Sequence, residues 1–208
     1  ILACINQAFP NLERVSLYGN PQDLLLKDSR MLQQLADQKL GLIYLGIESG
    51  SASVLEMIRK GVTPQQIVQG AKKVKAAGIS LSVTVLNGLA GSEGSRAHAL
   101  DTAALLNAID PDYIGLLSLI CVPGTAMEQQ FRTGELTALK PWELLEEIRT
   151  MVQELNLTNS LLRANHASNY LPLKAKMPQE KNQLLSLLDQ VIAERSPAML
   201  KREYLRRL

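Results

Sequence analysis

The stretch IYLGIESGS at residues 43–51 decides the fold of this 208-residue chain. It is an apolar strand that ends in the carboxylate of Glu48, followed by a glycine–serine turn and the helical segment 54–61, VLEMIRKG. Continuous apolar strands are typical of parallel sheets that are covered on both faces. The pattern therefore predicts that Glu48 lies at the carboxyl edge of such a sheet, where α/β folds bind their ligands.

Further strand-then-helix units lie on both sides of this stretch. Repeated units of this kind favour right-handed crossovers and a parallel sheet, so we predict an α/β fold. Strands are predicted at 13–18, 42–47, 79–87, 113–120 and, in short form, 161–164. Helices are predicted at 1–9, 29–40, 53–60, 63–77, 95–108, 141–155, 178–194 and from 197 onward.

Polar residues mark the starts of several of these helices. Ser29 can cap the helix that follows it. Ser53 with Glu56, and Thr63 with Gln66, have the spacing of capping boxes, in which two side chains satisfy free backbone N–H groups reciprocally. We therefore expect helices to begin at these positions.

The strand at 79–87 alternates apolar with small polar residues. If the sheet curls into a parallel barrel, its apolar side chains pack on the outer helices, and Ser80, Ser82 and Thr84 face the lumen. A filled barrel core prefers bulky branched side chains there, so small polar ones indicate room for a ligand. The alternative is an inverted strand with a solvated face.

Composition excludes several classes of function. A net charge of +2 argues against bulk electrostatic binding to nucleic acid or membrane, and no apolar run approaches the ~20 residues that span a bilayer. Two cysteines, Cys4 and Cys121, are too few for a disulfide framework and lack metal-ligand spacing, which favours a reducing, cytoplasmic setting. Because the sequence starts within a helix and without Met, we expect it to be a piece of a longer protein.

Glu48 and Lys60 are the first candidate site residues. A carboxylate at a strand end suits a ribose or an ammonium group, although it can also serve only to cap the turn. Lys60 can pair with a ligand carboxylate, or it can simply be a cation near a helix C-terminus. The glycine-containing loop 87–94 has neither dinucleotide-binding nor Walker spacing, and fits better as a turn that lets backbone approach a flat ligand.

A second group of candidates lies in the polar run 163–170. So many hydrogen-bonding groups favour either a structured loop or a substrate-contacting site. The other histidine, His98, is expected at the surface or behind the site, and the basic run 201–207 is expected to be solvated or frayed. The candidate substrate residues are Arg163, Asn165, His166 and Asn169.

Taken in order, these segments resemble radical S-adenosylmethionine (SAM) enzymes. The fourth strand and following helix of that superfamily commonly read G-(I/V/L)-(E/Q)-S-G-(S/D), then V-L-x-x-(M/I)-x-(R/K)-G, as residues 46–51 and 54–61 do here. The resemblance covers residues 14–125. It implies a partial TIM-like (β/α)6 barrel, here assigned to residues 1–170, followed by a C-terminal helical extension at 171–208.

The resemblance also implies roles for individual residues. Glu48 takes the position that binds the SAM ribose or methionine part, and Lys60 the position that pairs with the SAM carboxylate. Thr84 and Asn87 lie on a strand that faces the ribose and adenine in that superfamily. The full set of implied cofactor-binding residues is Tyr18, Glu48, Ser49, Lys60, Thr84, Asn87, Gly88, Ile120 and Val122.

One departure from the superfamily is serious, because the C-x3-C-x2-C loop that holds its [4Fe–4S] cluster is absent. The resemblance implies a parent enzyme that cleaves SAM reductively at that cluster, giving a 5′-deoxyadenosyl radical that acts on an unknown small-molecule or other substrate. It also implies an electron donor such as flavodoxin or ferredoxin. We expect this piece alone to hold neither cofactor and to be inactive.

Two other functions fit the same residues. The first is a cluster-free TIM-barrel-like enzyme for a small anionic substrate, with Glu48 as general base and Lys60 as anion clamp. The second is a non-catalytic α/β binding domain that has kept the barrel and lost its chemistry.

Overall fold

A single curved sheet organises the computed structural model, which describes residues 1–207. Within these residues the sheet has six strands in the order β1 to β6, and it stays open instead of closing into a full barrel. Strands β1 to β5 run parallel, and β6 pairs antiparallel with β5. The strands are β1 Val15–Gly19, β2 Leu40–Glu48, β3 Ser80–Asn87, β4 Tyr113–Ser118, β5 Ser160–Arg163 and β6 Lys174–Met177.

Helices connect the strands and cover the outer face of the sheet. They are α1 Leu2–Ala8, α2 Pro21–Leu26, α3 Ser29–Asp37, α4 Ala52–Met57, α5 Pro64–Ala76, α6 Gly91–Ile109, α7 Ala126–Thr133, α8 Pro141–Glu154 and α9 Lys181–Glu194. Two 3-10 turns, Pro197–Met199 and Glu203–Leu205, follow α9. No helix in the described part of the chain is both long and apolar enough to cross a bilayer.

The two faces of β3 differ as its alternating pattern predicts. Leu81, Val83 and Val85 are fully buried in the hydrophobic core between sheet and helices. Burying side chains of this size stabilises the fold by about 1.5–3 kcal/mol each. Ser80, Ser82 and Thr84, which alternate with them, are only half-buried on the concave face. The predicted partial TIM-like α/β fold is thereby confirmed.

Several helix starts differ from the prediction. The Thr63–Gln66 capping box forms, but α4 begins after Ser51, with no side-chain cap and no box between Ser53 and Glu56. Asp28, not Ser29, caps α3 by accepting from the Met31 N–H. Helix α6 starts at residue 91, four residues earlier than expected, which shortens the glycine-containing loop.

Three elements were not predicted, and each has a weak sequence pattern. Helices α2 and α7 span six and eight residues, too short for two turns of apolar periodicity to stand out. Strand β6 has four residues, of which Ala175 and Met177 are buried. The segment 171–208 is therefore not wholly helical, and within residues 197–207 two short 3-10 turns stand in place of the expected helix. The boundary proposed near residue 170 stays a prediction.

Candidate functional site

The register of the parallel strands stacks side chains in layers on the concave face. Tyr18, Tyr44, Ser82 and Tyr113 occupy paired positions on β1 to β4. The rings of Tyr18 and Tyr44 stack with centroids 5.2 Å apart. The next layer toward the carboxyl ends contains Gly46, Thr84, Gly115 and Arg163. The first layer therefore consists mostly of aromatic residues, and the next layer consists mostly of small ones.

Glu48 and Lys60 meet at the carboxyl end of β2. The Lys60 Nζ atom lies 3.1 Å from Glu48 Oε1, and their side chains are 19% and 27% exposed. The backbone of Glu48 is left-handed, with φ 62°, where the pairing of β2 with β3 shifts register. Non-glycine residues in such conformations cluster at functional sites, because the surrounding structure must hold them there. The carboxylate has a cationic partner and remains accessible from solvent.

Gly46, beside this pair, has no side chain and so leaves space for the Glu48 carboxylate. A Cβ on Gly46 would lie 2.5 Å from Glu48 Oε1 and 3.6 Å from Lys60 Nζ, so a side chain at that position would push the carboxylate away. The side-chain amide of Gln22 donates to the Lys60 carbonyl, which ties the segment after α4 to α2. Glu48 and Lys60 thus form a preorganised ion pair at the edge of the sheet.

A cavity of about 400 Å³ lies on the concave face and is lined from several strands. Three of the four predicted substrate residues, Arg163, Asn165 and His166, line it together with Ser82. Arg14 and Tyr113 also line it, and neither was singled out from sequence. Arg14 precedes β1 and Tyr113 begins β4, so only the curvature of the sheet brings them to the same cavity.

The fourth predicted substrate residue, Asn169, has a different place. It is 2% exposed; its Oδ1 accepts from the Ser118 hydroxyl at 2.9 Å, and its Nδ2 donates to the Leu116 carbonyl at 2.8 Å. Asn169 therefore fastens the loop after β5 to β4. The polar run is in part a structured loop and in part a cavity wall.

The predicted cofactor residues fall into distinct surroundings. Tyr18 and Thr84 lie on the concave face. Ser49 and Asn87, in contrast, are fully buried. Ser49 Oγ accepts from the Ser51 N–H within the turn after β2. Gly88 and Ile120 line a second cavity of about 350 Å³, and Val122 is 41% exposed. The structure thus brings together Glu48 and Lys60 but does not bring all nine residues to one surface.

A buried polar centre behind the β3 turn was missed by sequence reasoning. Glu147 of α8 is 2% exposed and accepts from the Gly88 N–H at 2.8 Å, the Ser95 hydroxyl at 2.6 Å and the Asn87 amide at 3.2 Å. The Nδ1 atom of His98 lies 3.2 Å from the same carboxylate. Two positions were expected for His98, at the surface or behind the site, and because it is 1% exposed the surface position is wrong.

The environment of Glu147 favours its ionised form. Burial alone raises the pKa of a carboxyl group, because it penalises the charge. Here His98 and the hydrogen bonds from Ser95 and Gly88 outweigh that penalty, and the pKa of Glu147 lies below its usual value. A buried carboxylate therefore holds the turn after β3 to helices α6 and α8.

The C-terminal basic run 201–207 is mostly exposed, as expected, but Arg206 is an exception. The guanidinium of Arg206 is buried and donates to the Ser168 carbonyl at 2.6 Å and to the Leu119 carbonyl at 2.8 Å. It lies 4.1 Å above the ring of Tyr170, whose hydroxyl donates to Glu203. Burial and the Glu203 carboxylate raise the pKa of Tyr170 to about 12. The C-terminal segment thereby fastens the loop after β4.

The residues present suit a polar organic ligand better than a metal cluster. Both cysteines, Cys4 and Cys121, are exposed, and residues 1–207 contain no group of three or more His, Cys, Asp or Glu side chains that could hold a metal. An iron–sulfur cluster needs three or four thiolates, so this chain does not fit one. The Glu48–Lys60 pair, in contrast, offers both charges that an amino-acid group complements.

Comparisons with known proteins were made in sequence and in structure. No family model matches the chain. Over 133 residues it is 28% identical to an uncharacterised methyltransferase of Pyrococcus horikoshii, covering 62% of this chain and 28% of that protein. Over 114 residues it is 25% identical to an uncharacterised protein of Methanocaldococcus jannaschii, covering 55% and 35%. The chain thus spans about a third or less of these relatives.

Solved structures with the same fold include archaeal Elp3 of Methanocaldococcus infernus and methylornithine synthase. The Elp3 match has a TM-score of 0.59 and 15% identity, covering 88% of this chain and 42% of that one. The methylornithine synthase match has a TM-score of 0.52 and 14% identity, covering 75% and 42%. Both matches are below 25% identity and show the fold alone, the partial TIM-like barrel that the resemblance in the sequence implies.

Proposed function

We propose that these residues form the ligand-binding part of a longer radical SAM enzyme. The observation that carries the proposal is the Glu48–Lys60 ion pair at the carboxyl end of β2, in a partial barrel with the fold of that superfamily. A cavity on the concave face of the same sheet is available to a substrate. In such an enzyme, SAM bound at a reduced [4Fe–4S] cluster supplies a 5′-deoxyadenosyl radical to a substrate.

Each charge of the pair complements one part of SAM. Glu48 has two acceptor oxygens for ribose hydroxyls or for the ammonium group, and Lys60 supplies a cation for the SAM carboxylate. Their separation of 3.1 Å keeps both charges partly neutralised before the ligand binds. A zwitterionic ligand replaces the Glu48–Lys60 ion pair with two new ones, its ammonium with Glu48 and its carboxylate with Lys60. Neither side chain is then left without a partner.

The cluster is assigned to another part of the protein. The C-x3-C-x2-C loop that would hold it is absent from the 208 residues, and the curated relatives are about three to four times as long as the regions they share with the chain. An external electron donor of the flavodoxin or ferredoxin type belongs to the same proposal. This chain would then contribute to ligand orientation and to the exclusion of water.

The test uses the full-length protein that contains these residues, reconstituted anaerobically with iron and sulfide. Addition of SAM and a strong reductant is expected to produce 5′-deoxyadenosine only when iron is loaded. Because some radical SAM enzymes cleave SAM only after their substrate has bound, SAM binding to the reconstituted protein is measured in parallel. A protein that loads no cluster and binds no SAM would contradict the proposal and favour the cluster-free barrel.

Methyl transfer is a second candidate for the reaction. It is supported by the similarity to the uncharacterised methyltransferase of Pyrococcus horikoshii. SAM that carries a trideuterated methyl group separates the two reactions. Methyl transfer would place that label in an acceptor molecule, whereas a purely radical reaction would leave it in methionine.

A further inference from the structure

The cavity on the concave face is cationic. Arg14 and Arg163 both line it, from the two ends of the parallel part of the sheet. Among residues 1–207, neither arginine takes part in any of the ion pairs. The residues that line the cavity in this part of the chain include no aspartate or glutamate. Two guanidinium groups therefore share a concave space without a counter-charge.

Arg14 is held in place by its aliphatic stem. A Cβ on Gly41 would lie only 2.6 Å from Arg14 Cγ and 2.8 Å from Cδ, so the stem lies directly against the Gly41 backbone. Packing of this kind reduces the conformational freedom of a long side chain and leaves its charged end available. Arg14, which lines the cavity, therefore loses less conformational entropy when its charged end binds a ligand.

His166 adds a hydrogen-bond donor to the cavity wall. Its Nδ1 lies 3.2 Å from the Ser168 backbone N–H, which donates to it, and 2.9 Å from the Ser168 hydroxyl. Because Nδ1 is an acceptor, a neutral imidazole carries its proton on Nε2. The loop thus orients a ring that lines the cavity with a free N–H group.

The remaining walls suit a flat ring. Tyr44 and Tyr113 line the cavity from the same layer of the sheet, on the two sides of Ser82, and Tyr18 stacks on Tyr44. Ser82, between the two tyrosines, and Gly115, in the next layer, are small. A Cβ on Gly115 would meet nothing nearer than 3.8 Å, an ordinary van der Waals distance, so no atom crowds that residue. Aromatic walls favour planar ligands through offset stacking.

We propose that the substrate, or the part of it that enters the cavity, is a flat organic anion: an aromatic or heteroaromatic ring bearing a carboxylate or phosphate. Arg163 and Arg14 bind the anionic group, His166 donates to it, and the tyrosines flank the ring. The inference rests on the proposed function in taking this cavity as the substrate site. Planar, bidentate recognition of carboxylate and phosphate is what guanidinium groups provide.

The test compares two probes that differ only in charge, 2-naphthoate and 2-naphthamide, with the full-length protein. Binding is followed by probe fluorescence anisotropy. Naphthoate is expected to bind about tenfold more tightly, as loss of one charge-assisted hydrogen bond implies. Arg163→Gln should remove this preference while leaving naphthamide affinity within about twofold, and Arg163→Lys should keep part of it.

The matched control is Arg30→Gln, which removes an exposed arginine on α3 outside the cavity. It should leave both affinities unchanged. Equal binding of the two probes, binding of neither, or a preference that survives both Arg163→Gln and Arg14→Gln would overturn the inference. Circular dichroism confirms that each variant is folded. If the unmodified full-length protein prefers naphthoate but does not bind SAM, the radical SAM proposal is rejected and this inference is retained.

Discussion

Two carboxylates in this protein, Glu48 and Glu147, each contact a nitrogen-bearing side chain at a similar distance, but their surroundings are opposite. The Glu48–Lys60 pair at the end of β2 is partly exposed, and the structure gives Glu48 Oε1 the Lys60 ammonium as its hydrogen-bond partner. The Glu147–His98 contact behind the β3 turn is fully buried, and both Glu147 oxygens accept hydrogen bonds. Accessibility and unused acceptor capacity suit exchange with a ligand, whereas a saturated buried carboxylate suits fixing a turn. Ion-pair distance alone does not separate these roles.

The largest expected effect is on folding and sharpens this contrast. Glu147→Ala should lower the free energy of unfolding by about 3–5 kcal/mol, because it leaves buried donors without a partner. Glu48→Ala should lower it by less than about 1 kcal/mol, as for other partly exposed pairs. Urea unfolding of the full-length protein measures both values.

Glu146→Ala is the control for Glu147. Glu146 is the preceding residue on α8, and its side chain is 46% exposed in its contact with Arg195. Its replacement should change the unfolding free energy by no more than about 0.5 kcal/mol. Equal effects of the two substitutions on α8 would show that the buried centre does not stabilise the fold.

The second prediction concerns ligand binding at the exposed pair. Glu48→Ala should weaken SAM binding to the full-length protein by about 1–3 kcal/mol, since a charged hydrogen-bond acceptor is lost. Equilibrium binding to the anaerobically reconstituted protein measures this difference. The control is Glu56→Ala, which removes an exposed carboxylate from the following helix, α4. Unchanged SAM affinity in Glu48→Ala would remove Glu48 from the site.

The third prediction tests whether the Glu48 carboxylate needs the space above Gly46. Gly46→Ala places a methyl group 2.5 Å from Glu48 Oε1, so the carboxylate must move away from Lys60. We expect SAM affinity to fall by about 1–2 kcal/mol, as overpacking at a fixed site commonly costs. The matched control is Gly115→Ala, whose methyl group meets no atom nearer than 3.8 Å. If the two variants bind SAM equally, the position of the carboxylate does not limit binding.

The same comparison explains what sequence could predict. Glu48 and Lys60 are twelve residues apart, on one strand and the helix that follows it. A local strand–turn–helix motif was therefore enough to bring them together. The alternation of β3 likewise identified its lumen face, because side-chain direction in a strand repeats every two residues.

The buried centre depends on tertiary packing that no local pattern encodes. Glu147 and His98 are 49 residues apart and meet only because α8 packs beside α6. Arg14 and Arg163 share a cavity only through the curvature of the sheet. Arg206 reaches the Leu119 carbonyl across 87 residues after the chain has returned through β6. Local periodicity contains no information about such register and return paths.

The smallest expected effect is the pH dependence of stability, and it bears on the charge state of the buried centre. The pKa of Glu147 is lowered from its ordinary value of 4.5, because His98, Ser95 and Gly88 favour the carboxylate despite burial. A lowered pKa in the folded state means that this stabilisation is complete above about 4.5 and is lost as the pH falls through the folded pKa. A tenfold difference in acid dissociation constant between the folded and unfolded protein corresponds to about 1.4 kcal/mol of stability.

Urea unfolding at pH values between 7 and 3 therefore distinguishes a charged centre from a neutral one. The unmodified protein should lose more stability on acidification than Glu147→Gln, which keeps the shape of the side chain and cannot titrate. The difference should develop below pH 4.5 and not between pH 7 and 5. If the free energy of unfolding depends on pH in the same way in the two proteins, Glu147 does not hold the turn as a carboxylate. Burial alone would then distinguish it from the partly exposed Glu48–Lys60 pair.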